Sequence, residues 1–315
     1  MSPVGAGFNG LAKVLGSPGL VLWLYIVNFV VALPFAVVMS GSIERSIGGS
    51  LVRENLRSGF DMGWFGEYDA QANGIETTFS PSVVGAGAFL DNLEHWLNGS
   101  LFEEHAGVVG AGVLYALLWA LFLGGILHRY TDGSGLFRLA EFFSQGGTFF
   151  FRFVRLAVLS GIFYYFIYRL SGWLFSWIET ATRDVTVEKT VLAYVAAGSI
   201  FVAFLLTLVN MAFDYAKIAT FRENRRSMVL AALKGFGFVL ANLGRTMTLY
   251  YGLALVSLVL LGLYWLVAPG VGQATVPSLV FAFAVGQAYL VGKLVVRLTF
   301  YAGQMSLYES VTGGR

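Results

Sequence analysis

Residues 190–213, TVLAYVAAGSIFVAFLLTLVNMAF, run for 24 positions without a charged side chain. The hydrocarbon core of a bilayer is about 30 Å thick and takes ~20 helical residues to cross. Five further stretches are as long and predominantly apolar, at about 19–41, 107–128, 156–178, 246–268 and 276–299. Lipid offers no water to backbone N–H and C=O groups, so a spanning segment must be a helix or part of a closed barrel. None of the six runs alternates apolar and polar residues as a barrel strand does. The spacing therefore predicts an all-α, polytopic membrane protein with six transmembrane helices. Composition agrees. The chain of 315 residues is 57% hydrophobic and 12% charged, against about 25% charged in an ordinary soluble domain.

Orientation follows from the cations. With the N-terminus in the cytoplasm, inner segments and inner helix ends hold 14 of the 20 Lys+Arg and 5 of the 18 Asp+Glu. Both termini are then expected inside. The one long excursion between spans, residues 42–106, is expected to be an extracytoplasmic helical insertion. Within it, SIERSIGGSLVRENLRSGF and SPSVVGAGAFLDNLEHWLNG carry apolar residues near helical spacing. The segment between them, DMGWFGEYDAQANGIETTF, reads as acidic, aromatic and turn-rich. The insertion is expected to rest on the outer face, to act as a lid, or to dock another membrane or periplasmic protein.

An internal repeat is visible. GTFFFRFVRL from Gly147 matches GFVLANLGRT from Gly237, with Gly147 and Arg155 aligned to Gly237 and Arg245 at an offset of 90. A third copy aligns Gly7-Phe8 with Gly235-Phe236 and Leu15-Gly16 with Leu243-Gly244. The expected unit is an interfacial cytoplasmic helix followed by a helical hairpin, three times over. Small residues at Ser278, Ala282 and Gly286, and at Gly107 and Gly110, are expected to let helices approach closely.

Most chemistry is excluded by what is missing. There is no cysteine, and the three histidines form no ligand pair, so thiolate, iron–sulfur and His-based metal chemistry have no basis. GAGFNG at residues 5–10 fits G-x-G-x-x-G, but no strand precedes it and an apolar helix follows, against a dinucleotide site. No GxSxG, Walker A or Ser-His-Asp arrangement is present. Neither enzyme activity, a cofactor nor nucleic-acid binding is expected. No short apolar core with a cleavage pattern opens the chain, so the first run is read as a span.

Polar residues inside spans are costly in lipid and mark structure or function. They are Asn28, Asn210, Asp214, Gln287, Lys293 and Arg297. Asp214 is expected to pair with Lys293 or Arg297, tying two helices together; the sharper alternative is a solute or proton path. Arg152, Arg155, Arg222, Arg225, Arg226 and Arg245 cluster beside spans and are candidates for anionic-lipid contact, at about 1 kcal/mol per cation near a charged leaflet.

TFSPSVVGAGAFLDNLEHWL, EFFSQGGTFFFRFVRL and DYAKIATFRENRRSMVLAALKGFGFVL together resemble a family of uncharacterised bacterial six-helix inner-membrane proteins. The general plan also resembles the membrane domain of glycerophosphodiester phosphodiesterases. Neither resemblance carries over a functional residue. Both imply a multi-pass protein of a bacterial inner membrane. The expectation is a non-catalytic accessory, scaffold or lipid-interacting component, with a small transporter or permease as the alternative.

Overall fold

The computed structural model describes residues 1–48, 52, 56, 60–79, 106–132, 136–268 and 275–313. Among these there is no strand. The helices are α1 (Pro3–Leu15), α2 (Pro18–Ile47), α3 (Met62–Gln71), α4 (Ala106–Asp132), α5 (Leu139–Thr182), α6 (Glu188–Arg222), α7 (Met228–Ala241), α8 (Leu243–Val267) and α9 (Val276–Thr312), with a 3-10 turn at Gly74–Thr78. Helices α2, α4, α5, α6, α8 and α9 are long and apolar enough to cross a membrane. They coincide with the six apolar runs. Large apolar side chains remain open on them, among them Val37 at 70%, Phe166 at 65% and Leu266 at 73% exposure. Such surfaces belong in lipid rather than water. The protein is a multi-pass helical membrane protein.

The chain divides into two compact units. The first comprises residues 1–13, 118–252 and 299–315. Its centre is the C-terminal half of α6, where Met211, Ala212, Tyr215, Ala216, Ile218 and Ala219 are all buried. A helix buried on nearly every side needs neighbours all round. α6 finds them in α7 and α5. Rings fill the gaps: Phe163, Phe213 and Phe236 meet at centroid distances of 5.2–6.0 Å, and Tyr215 lies 4.6 Å from Phe238.

Backbones approach closely in this unit at four glycines, Gly10, Gly124, Gly146 and Gly235. A Cβ on Gly235 of α7 would collide with the carbonyl oxygen of Ala212 on α6. One on Gly146 of α5 would come within 2.5 Å of Leu121 O on α4, and one on Gly10 of α1 within 2.6 Å of Gly303 N on α9. The expected ridges behave differently. A Cβ on Gly110 or Gly286 would meet nothing within 4 Å among the described residues, so neither supplies a close approach.

The second unit comprises residues 14–117 and 253–298. Here α3 packs on the end of α2. Trp64 Nε1 donates to Ser46 Oγ at 3.1 Å and Tyr68 OH to Ser42 Oγ at 3.3 Å. The segment read as acidic, aromatic and turn-rich is helical over Met62–Gln71. Asp61 explains it: its carboxylate caps the helix, accepting from the N–H groups of Gly63 and Trp64. Trp64 and Tyr68, one turn apart, then bury one face. The first amphipathic candidate also differs from expectation. Its opening residues, Ser42–Ile47, continue α2 rather than start a new helix. Its later residues lie largely outside the described ones, and the second candidate, from Ser80, lies wholly outside them.

The interfacial segments do not all stand apart. α1 is separated from α2 at Gly16-Ser17, where Pro18 opens the next helix. α7 is separated from α8 only at Asn242, whose backbone leaves the helical region at φ −128. α5 has no break. Its 44 residues form one helix, about 66 Å long at 1.5 Å per residue. GTFFFRFVRL contains neither the proline nor the asparagine that interrupts the other two.

Replacing Gly235 with Ala is expected to destabilise the protein by about 1–3 kcal/mol, as overpacking does. Gly237→Ala, on the same helix with nothing within 4 Å of its Cβ position, should be neutral or gain about 0.5–1 kcal/mol of helix propensity. Thermal unfolding of both variants in detergent checks the contrast.

Candidate functional site: a polar ladder on α6 and the turn that follows it

Thr207, Asn210, Asp214 and Lys217 are spaced three, four and three residues apart, so they share one face of α6. Each is held. Tyr251 OH of α8 donates to Thr207 Oγ1 at 3.3 Å. Asn210 Nδ2 donates to Tyr250 OH of α8 at 2.7 Å, and Tyr164 OH of α5 reaches Asn210 Oδ1 at 3.5 Å. Asp214 accepts twice, from Lys217 Nζ at 2.9 Å through Oδ1 and from Gln304 Nε2 of α9 at 3.1 Å through Oδ2. The expected partners Lys293 and Arg297 are not the ones Asp214 takes. Lys217 lies one turn away on its own helix, so the pair forms without ordering a second segment. Gln304, only 1% exposed, supplies the interhelical tie.

Lys293 and Arg297 find aromatic partners in the second unit. Lys293 Nζ lies 5.5 Å from the Tyr289 ring centroid. Arg297 Nη1 donates to Tyr115 OH at 2.8 Å. Such contacts let a cation remain charged beside apolar surroundings. Tyr25 OH donates to Gln287 Oε1 at 2.7 Å, joining α2 to α9. Asn28 Nδ2 turns back on its own helix, to Leu24 O at 2.7 Å. The six polar candidates thus divide: Asn210 and Asp214 belong to the first unit, and Asn28, Gln287, Lys293 and Arg297 to the second.

The basic island sits on the turn between α6 and α7. Asn224 adopts φ +49, the left-handed region that Asn tolerates better than most residues. Arg225 N then donates to Thr220 O at 3.1 Å and Asn224 N to Phe221 O at 3.4 Å, the double closure of a Schellman end. Ser227 starts α7, its Oγ accepting from Leu230 N at 3.5 Å.

Glu223, at the centre of this turn, is the residue the sequence reading missed. Its Oε1 accepts from Lys234 of α7 and from Tyr308 OH of α9, the latter at 2.7 Å. Its Oε2 accepts from Arg225 Nε at 2.6 Å. Partial burial raises the Glu223 pKa, but the donors Lys234, Tyr308 and Arg225 outweigh it and hold the carboxyl at about 2. Arg222 Nε pairs with Glu309 of α9 at 3.3 Å. Arg152 of α5 donates to Asn224 Oδ1 at 2.5 Å. One turn is thereby tied to α5, α7 and α9. The available signal was that Glu223 is the only acid between Asp214 and Glu309.

The six arginines proposed for lipid contact sort into two sets. Arg152, Arg222 and Arg225 are committed to protein partners. Arg155, Arg226 and Arg245 are exposed and make no hydrogen bond or ion pair among the described residues. No group of three or more metal-ligating His, Asp or Glu side chains occurs among the described residues.

A carboxyl held below its ordinary value of 4.5 stabilises the folded state above that pH, and the contribution fades as pH falls toward about 2. Melting temperature should therefore drop between pH 5 and pH 2. Glu223→Gln should lower stability at pH 7 by about 1–3 kcal/mol and flatten that part of the pH profile, as followed by thermal unfolding.

Comparison of the chain with protein-family models, with curated proteins and with solved structures finds no match.

Proposed function

We propose that this protein is a non-catalytic, lipid-interacting component of a bacterial inner membrane, serving as an accessory or scaffold. The observation that carries this reading is how the polar groups of the apolar helices are used. Asp214 spends both carboxylate oxygens on Lys217 and Gln304. Asn210 is tied to Tyr250, Gln287 to Tyr25, and Asn28 to its own backbone. The bonds of Asp214 to Gln304, Asn210 to Tyr250 and Gln287 to Tyr25 hold helices together. Of the six candidate arginines, the three without a protein partner among the described residues, Arg155, Arg226 and Arg245, have the chemistry to meet anionic headgroups.

The three-unit plan draws support from the close glycine contacts. α1 meets α9, α5 meets α4, and α7 meets α6, each time with a glycine against another helix's backbone. Each pair joins a segment expected at the interface to the apolar helix that returns before it, with α1 closing on the last. The contact glycines Gly146 and Gly235 are 89 residues apart, one short of the offset in the sequence match. N-in, C-in orientation is part of the same proposal, on the excess of Lys and Arg.

The permease alternative has one observation in its favour, the polar ladder of α6. Proteoliposomes separate the two readings. No flux of protons, alkali cations, amino acids or sugars above protein-free vesicles is expected, and a flux that Asp214→Asn abolishes would overturn the proposal. Because the chain has no cysteine, single substitutions report orientation directly. An impermeant maleimide applied to intact spheroplasts should label Gln71→Cys and spare Leu136→Cys; the reverse pattern would invert the topology.

A further inference from the structure

Arg155 and Arg226 lie on one groove, between α5 and the start of α7 in the first unit. The groove holds about 380 Å³, near the lower end of the range of small-ligand sites. On α5, Arg155, Val158 and Ile162 follow one another at helical spacing along the same face. Opposite them stand Arg226, Ser227 and Val229. No acidic residue lines it. Val158, Ile162 and Val229 are 63%, 47% and 59% exposed, an apolar surface that the described residues leave open.

From this arrangement we infer that the groove is a binding site for one anionic phospholipid, with its phosphate between Arg155 and Arg226 and an acyl chain along Val158 and Ile162. The inference rests on the reading of the protein as a lipid-interacting membrane component and names the site. Charge complementarity selects the ligand. Two arginines without protein partners share one groove, while their neighbours Arg152, Arg222 and Arg225 are already engaged by Asn224, Glu309 and Glu223. Guanidinium forks suit phosphate oxygens. α7 begins at Met228, which lines the groove, and the first N–H groups of a helix have no partner within it. Ile162 stands seven residues beyond Arg155, about 10 Å along the helix. That polarity, cationic at one end and apolar at the other, is the polarity of a phospholipid and not of a free phosphate.

The test uses the full chain purified in detergent, with phosphatidylglycerol retention read by native mass spectrometry and phosphatidylcholine as the zwitterionic comparison. The wild-type protein should retain phosphatidylglycerol preferentially. Arg155→Gln with Arg226→Gln should weaken retention roughly ten- to thirty-fold, at about a factor of five per cation. Arg245→Gln, a free cation outside the groove, should change it less than about twofold. The Lys versions of the double substitution should keep part of the affinity, and unchanged melting temperatures exclude misfolding. Val158→Asp should weaken retention of the lipid without removing the arginines. Inorganic phosphate at millimolar concentration should fail to compete. Equal losses for Arg245→Gln and the double variant would overturn the site, leaving generic leaflet attraction and the broader reading intact. Full competition by inorganic phosphate would also overturn it, as an anion site without a chain. Failure of the wild-type protein to retain any anionic lipid would overturn both.

Discussion

A polar group in hydrocarbon has no water to turn to, and the cost of leaving it unpaired governs this structure. It forces the backbone into helices. It also decides how the few polar side chains on those helices behave. Asp214, the acid nearest the middle of the ladder, is secured by Lys217 on its own helix and by Gln304 on α9. Lys293 and Arg297 each meet a tyrosine. The tyrosine hydroxyls at positions 25, 164, 250 and 251 provide the partners for Gln287, Asn210 and Thr207. Tyrosine suits this work because its ring tolerates apolar surroundings while its OH donates and accepts.

At the end of α6 the same logic moves from single bonds to a hub. The chain must stop a helix, turn and start another within a few residues. Asn224 makes the stop possible, and Ser227 makes the start. Glu223 then gathers a lysine, a tyrosine and an arginine from three places in the sequence. The cluster that looks from its composition like a cationic surface is largely an internal fastening. What remains of the cationic surface is carried by Arg155, Arg226 and Arg245, and two of these three share a groove.

Much of the architecture was legible without coordinates. The six apolar runs and the helical class follow from hydropathy. The polar positions inside the spans were legible too, because such residues are rare there. Their partners were not. Lys217 and Gln304 lie three and 90 residues from Asp214, and only α6 and α9 packing together selects Gln304. The helix at Met62–Gln71 was missed because turn-forming Gly and Asp outweighed the cap that Asp61 provides and the face that Trp64 and Tyr68 bury. The glycines aligned by the two-copy match, Gly147 and Gly237, face open space, while Gly146 and Gly235, the latter marked only by the third copy, make the contacts.

The sequence by itself determined that this chain is helical and multi-pass, since about 20 uncharged residues can be buried in lipid in hardly any other form. It also determined which residues would be under strain to find partners there. Tertiary structure alone decided which partners they found and which arginines were left over. Hydropathy is a property of each residue in its own neighbourhood. Pairing is a property of helices far apart in the chain, and at Glu223 it converts the most cationic stretch of the sequence into a joint.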